Sequence, residues 1–178
     1  MTTTRERAIE AAVALVGEQG MRALTHARID ARAGLPSGST SNSFRTRDAL
    51  IQGLVRWIAE GERTVIPSYE RTDVDAFIDA LTRLVEVQTT DNALRTRARF
   101  TLFLGAPPEA AAPLRAQRAL FEEWMASAAT ALGMNDPHAA ARTLLACGSG
   151  LIMHRLTVDP GAPVRPVMER AVRGCLAA

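Results

Sequence analysis

Lysine is absent from this chain. All 21 basic residues are arginine, set against 19 acids, and the net charge at pH 7 is +2. So even a balance excludes a protein that coats nucleic acid or an anionic membrane by charge alone. Aromatic residues are scarce at 4%, with one tyrosine and two tryptophans. Long apolar runs are missing too. Arg, Glu, Thr or Gly interrupts every stretch before the ~18 residues a membrane helix needs. Met1 to Arg7 lacks the apolar stretch of a signal peptide, so a cytoplasmic location is expected. Two cysteines, Cys147 and Cys175, stand far apart and read as small buried hydrophobes rather than a disulfide. The three histidines, His26, His138 and His154, are isolated. No metal-spaced Cys or His cluster, Gly-rich phosphate loop or nucleophile elbow appears. Glu109, Glu122 and Glu123 form no pairing suited to acid–base work. The expectation is a non-enzyme with no catalytic residues, no metal and no cofactor.

What is present is helical periodicity. Hydrophobic residues make up 47% of the chain and the mean hydropathy is zero, enough for a small module plus a larger one. Strand alternation is nearly absent. Ile9, Ala12, Val13 and Val16 recur at i, i+3, i+4, i+7, which predicts a helix from about Thr4 to Glu18, closed by Gly20. A short helix follows Thr25, burying Ile29 and Ala33. After a turn at Gly34, another runs from Pro36 to about Phe44. A fourth starts after Thr46 and stops before Pro67. Five further segments are expected: Asp73–Thr90, Asn92–Leu104, Glu109–Leu132, Pro137–Thr157 and Val164–Leu176. The fold class is therefore all-α with about nine helices, and there is no internal repeat.

The segment 25–47 has helix-turn-helix spacing, in which the second helix can lie in the DNA major groove. Ile29, Ala33, Leu35 and Phe44 can pack the two helices together. Ser37, Ser39, Ser41, Asn42 and Ser43 are outward positions of the second helix, with Thr40 beside them. Such short polar groups approach base edges closely, and Asn42 suits a two-bond contact with adenine. Gly38 lets the backbone come near. The helix starts at Thr25-His26 and Thr46-Arg47 offer N–H groups to phosphates. Taken alone, a Ser/Thr/Asn/Gly cluster also reads as a plain loop.

Residues 5–50 as a whole resemble the N-terminal domain of the TetR (tetracycline-repressor) family. The resemblance rests on Arg5-Glu-Arg-Ala-Ile-Glu-Ala-Ala12, Gly20, Thr25, Ala33-Gly34-Leu35, Gly38, Phe44 and Arg47-Asp48-Ala49-Leu50. The chain departs from the common pattern at Ser41, where a phosphate-contacting Tyr is usual. Asn42 and Ser43 replace a frequent His pair, and Thr40 stands where an aliphatic residue is common, which leaves a buried place open for it beside the DNA-facing one. The resemblance implies a helix-turn-helix domain over 1–47 and an effector-binding and dimerisation domain over 48–178. It also implies a homodimer on a palindromic operator in double-stranded DNA, and repression relieved by a small effector.

Within the second half, Trp57, Phe77, Phe100, Phe103, Trp124 and Met125 are candidate lining for an apolar or aromatic effector. Aromatic residues at helical spacing are more often plain core. Gln88, Thr89, Thr101 and His154 are polar candidates. Arg95, Arg97 and Arg99 alternate along one helix, and exposed pairing with Glu122 or Glu123 is expected for at least one of them. Leu144, Gly148, Leu151 and Ile152, with Met168 and Val172 of the last helix, are expected at a two-fold interface, where small neighbours permit close helix approach. Two other readings stand open: an all-α binding protein or enzyme whose helix-turn-helix only packs, and an effector-independent DNA-organising protein.

Overall fold

The computed structural model describes residues 2–62 and 73–176. Nine α-helices run through these residues: α1 (Thr4–Gln19), α2 (His26–Ala33), α3 (Ser39–Ser43), α4 (Arg47–Glu62), α5 (Val74–Thr89), α6 (Ala93–Gly105), α7 (Ala112–Ala131), α8 (Pro137–Thr157) and α9 (Arg165–Cys175). A single 3-10 turn, Met21–Ala23, links α1 to α2. Among the described residues there is no strand, only an isolated bridge between Met134 and Leu176. None of the described helices is long and apolar enough to cross a membrane. The expected end of the fourth helix before Pro67 falls outside the described residues.

The chain divides into two compact units that are not contiguous in sequence. One comprises Met1–Thr64 with Ala93–Gln117, and the other Val65–Asn92 with Arg118–Ala178. In the first, α1 packs against α6, α2 and α4. Gly17 makes the α1–α6 approach possible, because a Cβ there would strike the backbone carbonyl of Leu94. Ile9, Val16, Leu24, Ile29, Phe44, Leu50, Leu54, Ile58 and Leu102 are buried in the core of this unit. Each fully buried Leu or Ile contributes about 2 kcal/mol, against about 1 kcal/mol for a helix cap, so packing dominates. The local signals agree with it. Thr3 and Glu6 form a reciprocal capping box: the Glu6 N–H donates to the Thr3 hydroxyl (3.2 Å) and the Thr3 N–H donates to the Glu6 carboxylate (2.7 Å).

Two helix starts differ from the sequence expectation. Helix α3 begins at Ser39 rather than Pro36, because Gly38 takes φ +90°, a left-handed conformation that no helix interior contains. Helix α7 begins at Ala112 rather than Glu109. The preceding residues form a turn closed by the Ala111 N–H on the Pro107 carbonyl (3.1 Å).

The second unit packs α5 against α8 and α9. Phe77, Ile78, Leu81, Met125, Leu144, Met168 and Val172 are buried in it. Arg155 ties the end of α8 down, donating to the Thr89 hydroxyl (2.9 Å) and the Ala162 carbonyl (2.5 Å). The ion pairs Arg173–Asp75, Arg173–Glu169 and Arg165–Asp79 lie at the surface and contribute little.

Candidate nucleic-acid interface

Helix α2 is set by local chemistry at both ends. The Thr25 hydroxyl accepts from the Arg28 N–H at its start (3.4 Å). Gly34 closes it at φ +60°, with the Leu35 N–H returning to the Asp30 carbonyl (2.9 Å). Arg7, reaching from α1, donates to the carbonyls of Ala33 (2.6 Å) and Gly34 (3.3 Å) and so holds the turn in place.

The turn delivers α3, whose own N-cap, Gly38, has no side chain to offer. Asp30 on α2 fills that role from outside the helix. One carboxylate oxygen accepts from the Gly38 N–H (2.8 Å). The other accepts from the Thr40 N–H (2.8 Å) and the Thr40 hydroxyl (2.5 Å). Asp30 is 4% exposed and Thr40 is wholly buried. Burial of the carboxyl opposes ionisation. The bonds from Thr40 and Gly38, with His26 nearby, outweigh it and hold Asp30 below the usual carboxylate range. Sequence reasoning passed over Asp30, because its partners lie eight and ten residues away across a turn.

The other sequence-predicted positions fall on or beside the α3 face. Ser37 and Asn42 are exposed, and Ser39, Ser41 and Ser43 are half-buried. The Ser39 hydroxyl donates to the Pro36 carbonyl (2.7 Å) and the Ser41 hydroxyl to the Gly38 carbonyl (2.9 Å). With their hydrogens turned inward, these serines present oxygen lone pairs outward, suited to donors on base edges such as the amino groups of adenine and cytosine. Thr40 is the exception. Of the two places the sequence leaves open for it, the structure shows the buried one: it has no exposed surface and its hydroxyl is committed to Asp30.

The basic residues also sort themselves. Arg47 is exposed, yet its guanidinium already donates to the carbonyls of Leu24 and Met21 (both 2.8 Å), so it braces the turn before α2. Arg45 is exposed and bonds to no other described residue. Its guanidinium is therefore open to an outside ligand, a feature the sequence reading passed over because Arg47 stands at the more obvious helix start. Thr25, His26 and Arg47, with Leu24 and Leu50, line a small open depression of about 190 Å³. The Nε2 of His26 is buried and has no hydrogen-bond partner.

The proposed effector residues fall into both compact units. In the first, Trp57, Phe100 and Phe103 are half-buried, and two of their rings are already covered. Arg95 lies over Trp57 (4.6 Å to the centroid) and Arg99 over Phe100 (5.1 Å). In the second, Trp124 stacks on Phe121 at 5.2 Å, while Phe77 and Met125 are 0% and 2% exposed. Those last two are core residues with no surface for a ligand. Arg99 pairs with Glu62 (2.6 Å), and Glu122 with Arg142 (2.9 Å), rather than the arginines of α6 with Glu122 or Glu123.

The expected dimer residues need a similar correction. Leu144, Ile152, Met168 and Val172 are buried inside their own unit, because α5 covers that side of α8 and α9. Gly148 and Leu151 are half-buried. The exposed side of α8 instead carries Ala139, Thr143, Ala146, Gly150, Met153 and Thr157, and α9 adds Val167 and Gly174. Among the described residues no three His, Cys, Asp or Glu gather as a metal site.

Comparison with known proteins bears on the whole chain. Residues 8–54 match the family model described as bacterial regulatory proteins, tetR family. Residues 72–178 match that of the tetracyclin repressor-like C-terminal domain. No curated protein matches. Among solved structures, a transcriptional regulator from Rhodococcus sp. Rha1 is 18% identical, with a TM-score of 0.80 over 97% of this chain and 96% of its own; it shares the fold. A member of the TetR family from Streptomyces coelicolor A3 is 26% identical, with a TM-score of 0.73 over 98% and 99% of the two chains. The multidrug binding protein EbrR, complexed with malachite green, is 26% identical, with a TM-score of 0.68 over 98% of each chain. The helix-turn-helix geometry and the two matched domains lead to one conclusion: this chain belongs to the TetR family of bacterial regulatory proteins.

Proposed function

We propose that the chain is a homodimeric repressor, acting in the cytoplasm, that holds a palindromic operator in double-stranded DNA and releases it on binding a small apolar or aromatic effector. The observation that carries the reading is the α2–turn–α3 unit, with Asn42 exposed on a helix that Asp30 and Arg7 hold in place. In this reading residues 1–47 contact DNA. Ser37, Ser39, Ser41, Asn42 and Ser43 face the bases, Gly38 allows close approach, and Thr25, His26, Arg45 and Arg47 lie toward the phosphates. Residues 48–178 bind effector and partner.

A two-fold dimer places two reading helices about one DNA turn apart, so the operator is palindromic. The exposed small residues of α8 and α9 support a close helix–helix interface, centred on Gly148, Leu151, Gly150, Met153 and Val167. That EbrR is a multidrug binding protein, seen with malachite green, supports an aromatic effector. Its candidate contacts are Trp57, Phe100 and Phe103 in one unit or, alternatively, Trp124 in the other. Effector binding shifts the population toward a form whose reading helices no longer match the groove spacing.

The test is enrichment of duplexes from a randomised pool by the full chain, followed by addition of malachite green as probe. The reading expects two-fold symmetric sequences, and dye that releases them. Enrichment of asymmetric sequences, or of none, contradicts it.

A further inference from the structure

The reading helix α3 has only five residues, Ser39–Ser43, too short to hold itself together in water. Asn42 on it is exposed, and the Ser39 and Ser41 hydroxyls bond locally, to the Pro36 and Gly38 carbonyls. What joins it to α2 is a buried polar cluster, while the Phe44 ring just past its end lies against Gly53 of α4 and under the Arg5 guanidinium of α1. The cluster has one acceptor residue, Asp30, and three donors, all at the start of α3: the Gly38 N–H, the Thr40 N–H and the Thr40 hydroxyl. Thr40 has no exposed surface and Asp30 almost none. A buried carboxylate is tolerated only while its donors stay in place, so the cluster holds α3 in one geometry rather than a range of them.

We propose that Asp30, acting through Thr40, is the positioning residue that fixes the register of α3 on DNA, and so governs discrimination between sequences rather than general affinity. The inference rests on the reading of α3 as the DNA-reading helix. Neither side chain touches DNA in this account. Two bonds to carboxylate oxygens set the pitch of the first turn, and through it the direction of Asn42, four residues after Gly38. General affinity comes from phosphate contacts elsewhere, which do not depend on this cluster.

The experiment compares two duplexes in one buffer: one enriched by the wild-type full chain from a randomised pool, and a scrambled duplex of the same composition. Binding is followed by anisotropy and folding by circular dichroism melts. Thr40→Val keeps the volume and the N–H bond but removes the hydroxyl. Thr40→Ser keeps the hydroxyl but removes a methyl group. The proposal expects Thr40→Val to lose discrimination by on the order of ten-fold, with binding to the scrambled duplex unchanged, and Thr40→Ser to retain it. If Thr40 mattered only as packing, the order would reverse, and that result overturns the proposal. Asp30→Asn, whose amide cannot accept from both N–H groups, is expected to lose at least as much as Thr40→Val. If Asp30→Asn melts as a folded protein with discrimination intact, the proposal fails, whatever Thr40 shows. Asn42→Ala separates the two claims. If it abolishes discrimination while the Asp30 and Thr40 variants do not, only the positioning role is wrong. If the wild-type chain enriches no duplex, the DNA reading falls and this inference with it.

Discussion

The guanidinium of Arg95 lies on the face of Trp57, 4.6 Å from the ring centroid, and donates to the backbone carbonyls of Trp57 (3.4 Å) and Ile58 (3.0 Å). So α6 supplies a cation to two carbonyls of α4. Burial pulls the Arg95 guanidinium below its usual range, and nearby Glu62 opposes that shift. Replacing Arg95 with Leu is expected to cost about 1–3 kcal/mol, from lost bonds to carbonyls and the lost ring contact. Arg95→Lys is expected to recover little of this, because an ammonium lacks the planar fork that serves both carbonyls and the ring. Urea unfolding measures both. Full recovery by Lys would show that charge alone matters.

Glu62 stands against Arg99 at 2.6 Å, with side-chain exposures of 18% and 16%. Removing the carboxylate leaves Arg95 and Arg99 close together with no neutralising neighbour. Glu62→Gln is expected to lower stability by about 1–3 kcal/mol, more than the exposed pair Arg173–Asp75 loses on Asp75→Asn. Parallel melts of the two variants check the ordering.

Gly53 lies beneath the ring of Phe44. A Cβ there would come 2.6 Å from Cε1 of Phe44 and 3.3 Å from Cδ1 of Ile9. Both neighbours are buried, so neither can move aside freely. Gly53→Ala is expected to cost about 1–3 kcal/mol despite its better helix propensity, because overpacking outweighs a gain of about 1 kcal/mol. A higher melting temperature for the variant would refute this contact.

Asp30 predicts a pH dependence. Its folded carboxyl titrates below its unfolded value, so the unfolded chain binds the proton first on acidification. The stabilisation is therefore fully present above the unfolded value, about 4. It fades as pH falls through the lower folded value, and neutral solution does not alter it. Asp30→Asn is expected to be less stable than wild type at pH 7, and the gap should narrow toward pH 3. A gap that widens on acidification would have the wrong sign.

The sequence carried the helix pattern well, because each element combines a periodic apolar face with a local stop signal. Gly34 marked the turn after α2, and Pro137 marked the start of α8. The site was legible less evenly. That α3 is polar followed from its composition. That Thr40 could be its buried member followed from its standing where an aliphatic residue is common, but its bond to a carboxylate ten residues earlier did not. That Leu144, Ile152, Met168 and Val172 are buried within their own unit was not legible for a related reason. Helix α8 is apolar nearly all round, so periodicity could not say which side α5 would cover. That Arg47 also reaches the carbonyls of Leu24 and Met21 was not legible, because a tertiary contact has no local signature.

The central claim is that the α3 face reads bases while neighbouring arginines hold the backbone. The direct test is anisotropy of the full chain on the enriched and scrambled duplexes, with the double variant Ser39→Ala plus Asn42→Ala beside Arg45→Ala. The account predicts that the double variant loses the preference for the enriched duplex by about ten-fold or more, while Arg45→Ala weakens both duplexes alike and lowers the salt dependence. Equal weakening of both duplexes by the double variant, or unchanged preference, would contradict it.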